Sequence, residues 1–124
     1  MRTLTVLLAH GSSDPAWGAT FERMAAPVLE RYPDVMLAYM ELSNPTLDQV
    51  AEQAQDEGFG RLTVLPLFLA QGKHLKHDVP AMLKAIETRT GMQTTLLPPI
   101  GEHPALAGAI VAIIDETLSR NDRD

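Results

Sequence analysis

Residues 4–11 read Leu4-Thr5-Val6-Leu7-Leu8-Ala9-His10-Gly11, an apolar run broken only by Thr5 and closed by a histidine and a glycine. A run without strict alternation is the mark of a strand buried on both faces, as in a parallel sheet. Three more such runs follow: Val35 to Met40, Leu62 to Leu65 closed by Pro66, and Met92 to Leu97 closed by Pro98-Pro99. Between them the period changes to that of a helix. Phe21, Met24, Ala25, Val28, Leu29 and Tyr32 form one face, with Pro27 expected to kink it. Leu47, Val50, Ala51 and Ala54 form a second face; Val79, Met82, Leu83 and Ile86 a third; Leu106, Ile110, Ile113, Ile114 and Leu118 a fourth. Asn44-Pro45 reads as an N-cap followed by proline at the first helical position, and Gly58 and Gly91 stand where helices should stop.

The order βαβαβαβα predicts an α/β fold: a four-stranded parallel sheet with right-handed crossovers and helices on both faces. With 124 residues the chain fits one domain, expected over residues 1–118, with a polar, fraying tail over 119–124. Ten basic against sixteen acidic residues leave a net charge of −6, which argues against a nucleic-acid binder with a basic face. Without cysteine there is neither a disulfide framework nor a thiolate metal site. The first apolar run is too short for a signal peptide, and none approaches the ~20 residues of a membrane span. A cytoplasmic protein with no membrane association is expected.

Ligands of parallel α/β sheets bind beyond the carboxyl ends of the strands, so the residues that follow each run carry the information. They are His10-Gly11-Ser12-Ser13, then Glu41, then the segment from Leu67 through Phe68 and Lys73-His74-Leu75-Lys76-His77, and finally Gly101-Glu102-His103-Pro104. All four histidines thus fall on one predicted edge. Singly, each has an ordinary reading. His10 can be a hydrogen-bonded core histidine, Glu41 a solvated strand end, His74 and His77 a solvated turn beside Lys73 and Lys76, and His103 a helix-entry residue. Together, two imidazoles and a carboxylate suit borderline divalent ions such as cobalt, nickel, iron or zinc far better than magnesium. A neutral imidazole can equally take a proton from a substrate.

The motifs Leu7-Leu8-Ala9-His10-Gly11-Ser12, Glu41-Leu42 with Pro45, Pro66-Leu67-Phe68-Leu69 through Gly72 to His74, and Asp78-Val79-Pro80 resemble the class II tetrapyrrole chelatases. The likeness is closest to the short-form sirohydrochlorin chelatases of cobalamin and sirohaem synthesis, and it runs from about Leu4 to the last helix, including Gly101 and His103-Pro104. It implies a chelatase fold and insertion of divalent cobalt, iron or nickel, as substrate and not as resident cofactor, into a metal-free tetrapyrrole. It implies that His10 and His74 face the metal and the ring nitrogens, and that Glu41 binds metal or removes protons. Ser12, Ser13, Lys73 and Phe68 are the expected macrocycle contacts, with Lys76 adding positive charge for a polycarboxylate substrate. Where this chain has Ser13 the family pattern often has a basic residue, which leaves one carboxylate contact open. Larger relatives build the cleft from two similar halves, so a two-fold homodimer is expected here.

Two other functions fit parts of the pattern. A metal or tetrapyrrole carrier would use the same ligands without catalysis. A histidine phosphatase also opens on a strand ending in His-Gly but needs arginine directly before the histidine, where this chain has Ala9. A flavodoxin-like nucleotide module would need a phosphate-cradling glycine loop that Gly11 alone does not supply.

Overall fold

The computed structural model describes residues 1–123, without the side chains of His74 and of 121–123. Four strands, β1 (Thr3–Ala9), β2 (Val35–Tyr39), β3 (Arg61–Pro66) and β4 (Gln93–Leu96), form one all-parallel sheet in the order β2-β1-β3-β4. The helices are α1 (Pro15–Arg31), α2 (Leu47–Asp56), α3 (Val79–Thr90) and α4 (Pro104–Arg123), so the expected α/β architecture is the observed one. None of the described helices is long and apolar enough to cross a membrane.

The chain steps from β1 to one side, then crosses β1 to reach β3 on the other side. Right-handed crossovers in opposite directions put their helices on opposite faces. Accordingly α1 lies on the face of Thr3, Thr5 and Leu7, where Val28 and Tyr32 border the same groove as those residues. Helices α2 and α3 cover the other face. There Leu4, Val6 and Leu8 pack with Leu62 and Val64 against Leu47, Val50, Ala54, Val79, Leu83 and Ile86. This side holds the hydrophobic core, and most of its side chains are fully excluded from water.

Several local expectations are corrected. The α2 cap is Thr46, not Asn44: its hydroxyl accepts from the Gln49 backbone N–H while the Gln49 side chain accepts from the Thr46 N–H. This reciprocal pair satisfies two otherwise orphaned donors and starts the helix at Leu47. The Asn44-Pro45 bond is cis and belongs to the preceding loop, whose Pro45 carbonyl accepts from the Tyr39 N–H at 2.9 Å. Helix α1 begins at Pro15, capped by Asp14, and continues through Pro27 as one element. Helix α4 runs to Arg123, with Arg120 paired to Glu116 one turn back, so the helix continues into the expected polar tail; Asp124 lies outside the described residues. On the apolar face of α4, Ile110, Ile113, Ile114 and Leu118 are exposed.

Candidate functional site

The strand order decides which loops meet. Because β1 pairs with β3, the end of β1 is tied to the segment after β3 by the Leu67 N–H donating to the Leu8 carbonyl at 2.8 Å. This is the point at which the direction of winding reverses, the usual location of a crevice in open α/β sheets. Here the His10 ring stacks on Phe68, with centroids 4.1 Å apart and planes 15° from parallel. Phe68 is only 6% exposed. Its ring therefore forms a wall against the His10 imidazole within the molecule. Leu69, beside it, is exposed and Leu75 is buried.

From the other side, the Trp17 indole N–H donates to the His10 carbonyl at 2.6 Å. An aromatic wall and a fixed backbone leave the half-buried His10 ring little freedom, and such confinement makes a side chain useful as ligand or base. Trp17 escaped the sequence reading because nothing local links a first-turn helix residue to a strand end seven positions earlier.

Glu41 follows β2, which pairs with β1 on its other edge. The Met40 N–H donates to the Ala9 carbonyl at 3.0 Å, carrying the pairing one residue beyond the strand. Gly11 then passes so close that a Cβ there would lie 1.4 Å from the Glu41 carbonyl oxygen. Only glycine permits this approach, which explains the Gly after His10 in physical terms. The same two loops are stitched by Ser43: its hydroxyl donates to the Ser12 carbonyl at 3.0 Å and accepts from the Ser12 N–H at 3.2 Å. Between Glu41 and Ser43, Leu42 takes a left-handed conformation with φ 63° and is 74% exposed. The Glu41 side chain stands in solvent at this edge.

The third contributor is a π-helical turn, His74–Asp78, that leads into α3. Such turns are rare and recur at functional sites. The His74 backbone opens the turn; its side chain lies outside the described residues. Lys73, Lys76 and His77 are exposed around it. Among the described residues no three His, Asp or Glu side chains converge as a metal-holding cluster.

The remaining expected contacts divide. Ser12 is committed: besides its backbone bonds to Ser43, its hydroxyl accepts from the Asp14 N–H at 3.1 Å. Ser13 is exposed at the mouth of a cleft of about 320 Å³ that Ser43, Tyr39 and Glu22 also line. The α1 N-terminus already holds an anion of its own, since the Asp14 carboxylate accepts from the Ala16 N–H at 2.9 Å. This weakens it as a receiver of substrate carboxylates. His103 is a capping residue, its Nδ1 accepting from the Ala105 N–H at 3.0 Å at the start of α4. Tyr39 has its phenol pKa raised by burial and, secondarily, by the Glu22 carboxylate. The sequence offered no sign of Ser43 or Tyr39.

Comparison with known proteins gives a consistent picture. The CbiX family model matches residues 4–117. The sirohydrochlorin cobaltochelatase of Sulfolobus acidocaldarius is 30% identical over 114 residues, 92% of this chain and 91% of that one. The sirohydrochlorin cobaltochelatase of Methanocaldococcus jannaschii is 39% identical over 84 residues, 66% of this chain but only 59% of that protein. Among solved structures, the cobalamin (vitamin B12) biosynthesis CbiX protein of Marinobacter aquaeolei superposes with a TM-score of 0.93 at 43% identity, covering 98% of this chain and 99% of that one. The sirohydrochlorin chelatase SirB of Bacillus subtilis, in complex with cobalt, shares the fold with a TM-score of 0.81 at 21% identity; this chain spans 51% of its length.

Proposed function

The chain belongs to the CbiX family, and from that premise we propose that it is a sirohydrochlorin chelatase that inserts a divalent ion into the metal-free tetrapyrrole. Cobalt is the first candidate substrate, with iron and nickel behind it. The observation that carries the reading is the confinement of His10, held between Phe68 and Trp17 where the sheet's winding reverses and directly beside the loop of Glu41.

Insertion exchanges two pyrrole N–H protons for one divalent ion, so the protein must accept protons while releasing the metal. A neutral imidazole does either task near pH 7, and an exposed carboxylate can steady the ion while it sheds water. In this reading His10 and His74 face the ring nitrogens, and Glu41 binds the ion or takes a proton. A weak, open ligand set suits a metal that must leave, whereas a closed tetrahedral site would retain it. Phe68 and Trp17 act through His10. Lys73 and Lys76, exposed on the turn after β3, supply the positive charge that a polycarboxylate needs from a net-negative protein. The α1 N-terminus is less suited to that task, being capped by Asp14.

We further read the active form as a homodimer in the cytoplasm, each subunit lending one wall of a shared cleft; the match to roughly half of SirB supports this. The test is direct. Metal-free sirohydrochlorin and cobalt are mixed with the protein and the macrocycle's absorbance change is followed. A rate well above the protein-free rate is expected. A rate equal to it, with binding of the macrocycle shown separately, would leave only a carrier.

A further inference from the structure

The turn after β2 holds a leucine in a conformation that glycine would adopt more readily. The Ser43 N–H donates to the Glu41 carbonyl at 2.8 Å, while Leu42 between them has φ 63°. This is a γ-turn of the strained kind, which a bulky side chain rarely occupies. Among the described residues Leu42 is the one non-glycine with a left-handed φ. Its surroundings enforce the turn. The Glu41 carbonyl lies against Gly11, and the Ser43 hydroxyl is bonded to both the N–H and the carbonyl of Ser12. Strain persists only where neighbours over-determine it, and it collects at functional sites. Yet the side chain so held finds little cover within its own chain, since Leu42 is 74% exposed.

Leu69 is its counterpart after β3. Its backbone is fixed, because the Gly101 N–H donates to the neighbouring Phe68 carbonyl at 3.1 Å and a Cβ on Gly101 would lie 1.6 Å from the Leu69 carbonyl oxygen. Its side chain is 75% exposed. After Met1, no large apolar side chain among the described residues is more exposed than these two leucines. Because β1 sits between β2 and β3, their segments leave the sheet on either side of His10, two strand spacings or roughly 10 Å apart.

We propose that Leu42 and Leu69 form an apolar rim astride His10 that seats the face of the planar, metal-free tetrapyrrole and sets the affinity for it. The proposal rests on the chelatase reading and deepens it by naming the side chains that grip the ring. The occupant follows from the chemistry of this edge. An apolar rim around an imidazole suits a flat conjugated ring, while Lys73 and Lys76, exposed further along the Leu69 segment, suit the carboxylates at its periphery. The leucines take no part in proton or metal transfer. Strain at Leu42 then has a use: it keeps an apolar side chain presented where a glycine turn would present none.

Trp17, the only tryptophan in the chain, donates to the His10 carbonyl and so reports on this site through its fluorescence. The full chain is titrated with metal-free sirohydrochlorin by the quenching of that emission, and cobalt insertion is timed separately. Leu42→Gly and Leu69→Asn should each raise Kd and KM about tenfold, the effect of losing one buried leucine, and leave kcat within about twofold. Leu42→Gly should also unfold at a denaturant concentration no lower than wild type, because it relieves the turn. Leu42→Met, which keeps an apolar side chain, should bind within about threefold of wild type. Variants that bind the macrocycle as tightly as wild type overturn the proposal. So does a Leu42→Gly protein that unfolds earlier than wild type, which makes Leu42 a structural residue. A wild-type chain that neither binds nor metallates sirohydrochlorin overturns the chelatase reading and this proposal with it, whereas binding without insertion leaves the rim standing on a carrier.

Discussion

Replacing Gly11 by alanine tests whether the contact between the first two loops builds the site. The added Cβ would stand 1.4 Å from the Glu41 carbonyl oxygen, 2.6 Å from its carbon and 3.1 Å from the Ser43 nitrogen. An ordinary contact needs about 3.5 Å, so the Glu41 loop has to retreat by roughly 2 Å. Retreat breaks the two hydrogen bonds between Ser12 and Ser43, at 3.2 and 3.0 Å, each contributing about 0.5–1.5 kcal/mol. Residual crowding adds on the order of 1–3 kcal/mol, so a loss of about 2–6 kcal/mol is expected in denaturant unfolding. Activity should suffer more than stability. Displacing Glu41 by even 1 Å from His10 costs on the order of 100-fold in a positioned reaction, and the insertion rate should drop at least that far at temperatures where the variant stays folded. Gly72→Ala is the stability control, since nothing lies within 4 Å of its Cβ position; it should unfold within about 0.5 kcal/mol of wild type. A Gly11→Ala protein that unfolds at the wild-type midpoint and inserts cobalt at the wild-type rate would refute the reasoning.

His10→Ala and His74→Ala should each abolish insertion while circular dichroism and unfolding remain cooperative; full activity in either variant removes that residue from the mechanism. Phe68→Leu keeps a buried apolar side chain but ends the stack on His10. It should cost only about 1 kcal/mol in stability yet slow insertion markedly, and an unchanged rate would make Phe68 a core residue alone. Tyr39 titrates above its ordinary value in the folded protein, so its contribution is fully present below pH about 10 and is lost as pH rises through the folded pKa. Tyr39→Phe should therefore flatten the alkaline loss of stability measured by unfolding at successive pH values, and an identical alkaline slope would contradict the assignment.

The legible parts of this protein are those fixed by neighbours in the chain. Apolar runs and helical spacing marked all four strands and four helices, and the residue after each strand marked His10, Glu41 and the His74 turn. Misreadings arose where competing local signals pointed to different residues. Asn44-Pro45 carried an N-cap signature, but Thr46 with Gln49 forms the reciprocal cap, so the helix begins two residues later and Pro45 serves the loop. Pro27 signalled a kink or loosened first turns, and α1 runs through it as one helix.

The sequence by itself determined the class of fold, the family pattern and the edge on which the chemistry-bearing residues lie, because strand burial, helix period and strand-end position are properties of short segments. Only the tertiary structure decided that β1 sits between β2 and β3. That order places Phe68 against His10 and Gly11 against Glu41, across separations of 58 and 30 residues that no local pattern spans. It also decided that most of the apolar face of α4 stays exposed, although Leu106 and Ala109 border Leu65 of β3. Periodicity specifies that a face must be covered. Which surface covers it depends on the path of the backbone, which no short segment encodes.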